Sequence, residues 1–174
     1  MTPIEKKILT FFGNYPERQF YAQEIAGAVH CSKASVSAVM RTFLKKGLVF
    51  GEVRGRMKFY RINPKHVEVK KWKIDSALHS ILGLVKRLSP HTDKIILFGS
   101  AGRGEQTVSS DIDLFILTRK KADAQRVVAM VKSKCTMNAA IKTPQEWAEM
   151  EVREPEFYQE IKNGITVHQY VPRI

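Results

Sequence analysis

Apolar residues recur at Ile4, Ile8, Leu9 and Phe12, the spacing of a one-sided helix, with Thr2 placed to cap it and Pro3 in its first turn. Gly13-Asn14-Tyr15-Pro16 breaks this pattern. FYAQEIAGAV then keeps helical spacing through Ala22, Ile25, Ala26 and Val29. After the link His30-Cys31-Ser32, a third helix is expected over SKASVSAVMRTFLKK, with Val36, Met40 and Phe43 on one stripe. Ser32 suits its N-cap and Gly47 its left-handed end. The period then falls to two: LVFGEV (48–53) and MKFYRI (57–62) predict a hairpin joined by Arg54-Gly55-Arg56. From about Val67 to Leu88 helical spacing returns, with Trp72, Leu78, Ile81, Leu82, Val85 and Leu88 on the apolar side.

The second half is patterned differently. After the turn Ser89-Pro90-His91-Thr92-Asp93, KIILF reads as a buried strand that stops at Gly99-Ser100. AGRGEQTVSS is a short helix or loop, and DIDLFIL a second strand. A helix over ADAQRVVAMVKSK, a strand over CTMNAAIKT, a helix capped by Thr143-Pro144, and a final helix, glycine and strand in FYQEIKNGITVHQY complete the chain. The fold class expected is α+β. A helix-rich domain (1–66) is followed by a helical linker (67–77) and a small mixed-sheet domain (78–174).

Charge separates the halves further. Residues 1–89 carry 17 Lys+Arg against 6 Asp+Glu, a net of +11, and residues 90–174 carry 12 against 11, a net of +1. A polyanion is therefore the expected partner of the first half alone. The order of helix, helix, tight link, helix and hairpin is that of a winged helix-turn-helix. The run CSKASVSAVMRTFLKKGLV resembles the recognition-helix segment of winged-helix transcription regulators. On that scaffold Lys33, Ser35, Ser37 and Arg41 avoid the apolar stripe and can reach a groove. Arg54, Arg56 and Lys58 on the hairpin can meet phosphates. Double-stranded DNA is the expected partner; a protein-contact role for the same domain is the alternative. The long stripe after it also suits a homodimer.

No apolar run approaches the roughly 18 residues of a membrane span, so no membrane partner is expected. MTPIEKKILTFF lacks a signal peptide's apolar stretch, and Cys31 and Cys135 form no close-spaced pair, so a cytoplasmic protein with reduced thiols is expected. His30 and His66 have no partner at metal spacing.

The chemistry lies in LFGSAGRGEQTVSSDIDLFIL. Residues two apart on a strand face the same way, so Asp111 and Asp113 present like charges about 6.5–7 Å apart along the chain. Such a pair calls for a cation, and hard divalent ions take oxygen ligands. Gly99 lets a phosphate approach the backbone, and Ser100 offers it a hydroxyl.

This stretch resembles the signature of the nucleotidyltransferase superfamily related to DNA polymerase β, and more narrowly its minimal bacterial and archaeal group. The resemblance covers about 78–171. It implies that Gly99 and Ser100 hold a nucleoside triphosphate and that Asp111 and Asp113, as catalytic and metal-binding residues, hold two magnesium ions. Arg103 either assists with phosphate or packs on the loop. It also implies transfer of a nucleotidyl group from NTP to an acceptor hydroxyl, with a partner protein as a plausible acceptor. One departure stands out. The family's third carboxylate lies on a later strand, and CTMNAAIKT contains none; Asn138 falls in its place, and an amide cannot take a proton. Glu146 is expected on the following helix, and Glu105 is near in sequence. A DNA-binding regulator that senses nucleotide without turnover is therefore the rival expectation.

Overall fold

Thr2 starts the first helix, α1 (Pro3–Asn14): its hydroxyl accepts from the Glu5 amide at 3.3 Å while the Glu5 carboxylate accepts from the Thr2 amide at 2.7 Å. This capping box satisfies two amides that helix geometry leaves without partners. The computed structural model, which describes residues 1–131 and 136–171, divides into two units, Met1–Trp72 and Lys73–Ile174.

In the first unit α1 is followed by β1 (Phe20–Tyr21), α2 (Ala22–Val29), α3 (Lys33–Lys46), β2 (Val49–Arg54) and β3 (Met57–Ile62). Ser32 caps α3, accepting from the Ser35 amide at 3.1 Å, and Gly47 ends it at φ 74°. The strands pair antiparallel in the order β1-β3-β2. Strand β1 corrects the expectation that the second helix begins at Phe20. Phe20 and Tyr21 instead pair with Tyr60 and Phe59, and the Glu24 carboxylate accepts from the Tyr21 amide at 2.9 Å. Two aromatic residues gain more on a half-buried sheet than as an extra half-turn of helix. Ile8, Leu9, Phe12, Ile25, Val36, Met40, Phe43 and Ile62 fill the core beneath this sheet. Three helices and a hairpin in this order make a winged helix.

Helix α4 (Val67–Leu88) has the expected length, and one detail of its apolar face differs. Leu82 is 49% exposed, and Leu84 takes the core place expected for it. Lys73 is 3% exposed: its ammonium donates to the Gln106 carbonyl at 2.8 Å, and the Gln106 amide returns a bond to the Lys73 carbonyl at 2.8 Å. Val69 and Trp72 pack into the first core, Ala77 into the second.

The second unit continues with β4 (Lys94–Phe98), α5 (Gly99–Arg103), β5 (Ile112–Leu117), α6 (Lys121–Met130), β6 (Met137–Lys142), α7 (Pro144–Arg153), α8 (Pro155–Lys162) and β7 (Ile165–Gln169). The sheet order is β6-β5-β4-β7, with β5 and β6 parallel and the other pairs antiparallel. Ile95, Leu97, Ile112, Leu114 and Ile116 pack with α4 and α6 residues; Ile96, Phe98 and Phe115 pack with Met150, Tyr158 and Ile161 of α7 and α8. Both sheet faces are covered, so β4 is apolar throughout rather than alternating. The expected helix end at 132–134 and Cys135 lie outside the described residues. No described helix is long and apolar enough to cross a membrane.

Candidate functional site

Strand β5 carries Asp113, with Asp111 just before it, and parallel pairing sets Asn138 of β6 directly opposite Asp113. The Asn138 amide nitrogen donates to Asp111 Oδ2 at 3.2 Å and to Asp113 Oδ1 at 3.2 Å. A neutral N–H dipole thus stands between two carboxylates, where it offsets part of their repulsion. Period two places Asp113 on the Phe115 side of the sheet, facing α7 and α8.

On the neighbouring strand, β4 delivers Phe98 opposite Asp113 and then turns at Gly99, whose φ is +63°. A Cβ there would collide with Asp113 Oδ2, so glycine is required twice: for the left-handed backbone and for the approach of the carboxylate. Three residues on, a Cβ at Gly102 would meet the Leu97 carbonyl at 2.9 Å. Ser100 is half-buried at the start of α5, beside Gly99.

Arg103, expected either to assist with phosphate or to pack on the loop, bonds two carboxylates through its guanidinium. Nη1 donates to Glu160 Oε1 at 2.9 Å and Nε to Glu105 Oε2 at 3.1 Å. Both bonds favour its charged form and raise its pKa, the Glu160 bond most. Two cavities flank this pair. One, of about 260 Å³, is walled by Gly99, Gly102, Arg103, Glu160 and Gly164; the other, of about 580 Å³, by Asp113, Asn138, Met137, Phe157 and Glu160. Phe98 and Glu160 belong to both.

The two alternative acids each have a cationic partner. Glu146 closes a capping box with Thr143 and accepts from the Lys121 ammonium at 2.7 Å, which holds its carboxyl down to about 2. Glu105 faces Arg103. Among the described residues no three His, Cys, Asp or Glu side chains cluster as a metal site. The donor set at β5 and β6 is two carboxylates plus the Asn138 amide, whose oxygen takes its nitrogen's place on a half-turn. These hard oxygen donors fit a divalent cation.

In the first unit, Lys33, Ser35 and Arg41 are exposed along α3, while Ser37 is half-buried. Ser35 is partly occupied, its hydroxyl 2.8 Å from that of Ser32. Arg54, Arg56 and Lys58 are exposed on the hairpin, which turns at Gly55 with φ +60°. Arg54 is held by Glu52 at 2.8 and 2.7 Å and lies over the Phe59 ring. Sequence reasoning missed Glu160, Lys73 and Gln106. Each acts through a partner 33 or 57 residues away, and no local pattern announces such a pairing.

A mixed four-stranded sheet that sets a glycine–serine turn beside paired aspartates defines the nucleotidyl-transfer class of fold. The chain belongs to the nucleotidyltransferase domain family, whose model matches residues 78–172. No curated protein matches it in sequence. Among solved structures, MepR, a transcription regulator of the Staphylococcus aureus multidrug efflux pump MepA, shares 17% identity over 48% of this chain, at a TM-score of 0.40. This chain spans 64% of MepR. AF1382 from Archaeoglobus fulgidus shares 23% over 49% of this chain and 91% of its own (TM-score 0.37). A candidate nucleotidyltransferase from Sulfolobus solfataricus shares 14% over 62% and 93% (TM-score 0.40). The winged-helix assignment rests on the chain's own topology.

Proposed function

We propose that this is a DNA-binding regulator whose nucleotidyltransferase domain takes up a magnesium–NTP complex as a ligand, without efficient turnover. The observation that carries the reading is Asn138, bonded to both Asp111 and Asp113 in the place of a third carboxylate. Asp111 and Asp113 supply the negative charge that holds magnesium, and Asn138 can add a neutral oxygen. Gly99 lets the Asp113 carboxylate lie against the turn, and Ser100 beside it donates to phosphate oxygens. A bound metal–triphosphate complex would bring the charge neutralisation that nucleotidyl transfer needs. The Asn138 amide bonded to both aspartates cannot accept the proton of an attacking hydroxyl, because an amide nitrogen is not a base. The basic first unit meets double-stranded DNA, with α3 in a groove and the hairpin arginines at phosphates.

A second reading is transfer of the nucleotidyl group to an acceptor hydroxyl, with a protein as one acceptor class. The intact pairing of Gly99 with Asp113 favours it. Labelled NTPs, magnesium and a pool of protein and nucleic-acid acceptors separate the two. Regulation predicts saturable binding of label with no covalent product from the wild type. Brisk transfer by the wild type overturns that reading in favour of the enzyme.

A further inference from the structure

Glu160, ion-paired to Arg103, lies on the wall that the two cavities of the site share, and Arg103 lines the smaller of them. On one side lies Gly99, on the other Asp113 and Asn138. A triphosphate that reaches from the glycine turn toward the aspartates therefore passes the Glu160 carboxylate, and Arg103, which lines the glycine-side cavity, is already bonded to it. We propose that Glu160 is a latch: it holds Arg103 away from phosphate, and nucleotide binds by exchanging the Glu160 carboxylate for its own phosphate oxygens on the Arg103 guanidinium. The inference rests on the metal–nucleotide reading and names a regulator of that same site.

The mechanics are local. Helix α8 is fixed at its base, because Tyr158 and Ile161 are buried and a Cβ at Gly164 would meet the Leu97 carbonyl at 2.7 Å. The Glu160 side chain, by contrast, is 41% exposed and Arg103 54%, so both can change rotamer without moving a helix. The exchange costs little. An exposed ion pair is worth about 1 kcal/mol or less, whereas a guanidinium on a phosphate makes two parallel charge-assisted bonds. Glu105, 3.1 Å from Nε, keeps Arg103 near the turn while Nη1 is released. Glu160 thus sets a threshold: weak anions leave the latch closed, and a triphosphate opens it.

The test is equilibrium binding of magnesium–ATP and magnesium–GTP to the full chain, as wild type, Glu160→Gln, Arg103→Gln and the double variant. Glu160→Gln should tighten binding by about two- to fivefold, the factor an exposed ion pair converts to. That gain should shrink or vanish in the Arg103→Gln background, because the latch acts through the guanidinium. A gain that is equal or larger without Arg103 would show simple repulsion of phosphate by Glu160 and overturn the latch. An unchanged or weaker affinity in Glu160→Gln overturns it as well. If the wild type binds nucleotide in a magnesium-dependent way while either result is found, the latch alone fails. If no variant binds either nucleotide with magnesium, the metal–nucleotide reading fails and the latch with it.

Discussion

Asn138 sits 3.2 Å from each of two carboxylates, and its chemistry decides what the site can do. Its position is legible through the family resemblance, which puts a carboxylate on the strand CTMNAAIKT, and the parallel register of β6 with β5 sets Asn138 opposite Asp113. Asn138→Asp is the informative substitution. It replaces a dipole that relieves repulsion with a third like charge, so the metal-free protein should lose about 1 kcal/mol or less, the range of solvent-exposed charge interactions. Magnesium should more than restore that loss, and labelled-NTP transfer should rise from the wild-type level. Urea unfolding with and without magnesium checks the first two outcomes and a transfer assay the third. Gly99→Ala makes a second prediction. The left-handed backbone alone costs a residue with a Cβ about 1–2 kcal/mol, and the collision with Asp113 Oδ2 adds to it. The midpoint of urea unfolding should fall and nucleotide affinity should drop together.

At the level of elements, periodicity located the helices and strands well wherever a single face is buried. α4 runs over the expected 67–88, and the Thr2, Ser32 and Thr143 caps form as their residue types require. The departures are places where a distant partner decided the outcome. Phe20 and Tyr21 continue a helical pattern in sequence but find Tyr60 and Phe59 across the sheet. Lys73, near the start of α4, is buried against the loop that leads to Asp111 through its bond to the Gln106 carbonyl. Glu146 illustrates a cap with consequences for pH. Its carboxyl is held down to about 2, chiefly by Lys121 and then by the Thr143 amide, from an ordinary value of 4.5. Its contribution to stability is therefore fully present above pH 4.5 and is lost as pH falls toward 2. Glu146→Gln should flatten the fall in stability across that window and change little at neutral pH beyond a constant offset. Acid titration followed by circular dichroism checks it.

For the whole molecule, charge is divided along the chain. Residues 1–89 carry a net +11 and residues 90–174 a net +1, a balance that suits the polyanion partner proposed for the first half. If the first unit binds duplex DNA through phosphates, log affinity should fall linearly with log salt. Arg54→Ala with Arg56→Ala should flatten that slope by about one for each phosphate that these arginines neutralise in the wild type. Arg54 should contribute less than Arg56, because Glu52 already holds it at 2.7 Å. Salt-independent binding, or none to any duplex, would point to a protein partner. The measurement that reaches furthest is thermal unfolding of the full chain with magnesium, with NTP, and with both. Asp111 and Asp113 repel one another until a cation joins them, and the triphosphate brings its own charge to that cation. The pair of ligands should therefore stabilise the wild type by more than the sum of their separate effects, about 2.7 kcal/mol at a hundredfold excess over Kd. Asp113→Asn should abolish that gain without lowering stability in the absence of ligands. A wild type that responds no more to the two together than to each alone, or an Asp113→Asn protein that responds as the wild type does, would contradict a metal–nucleotide site at these aspartates.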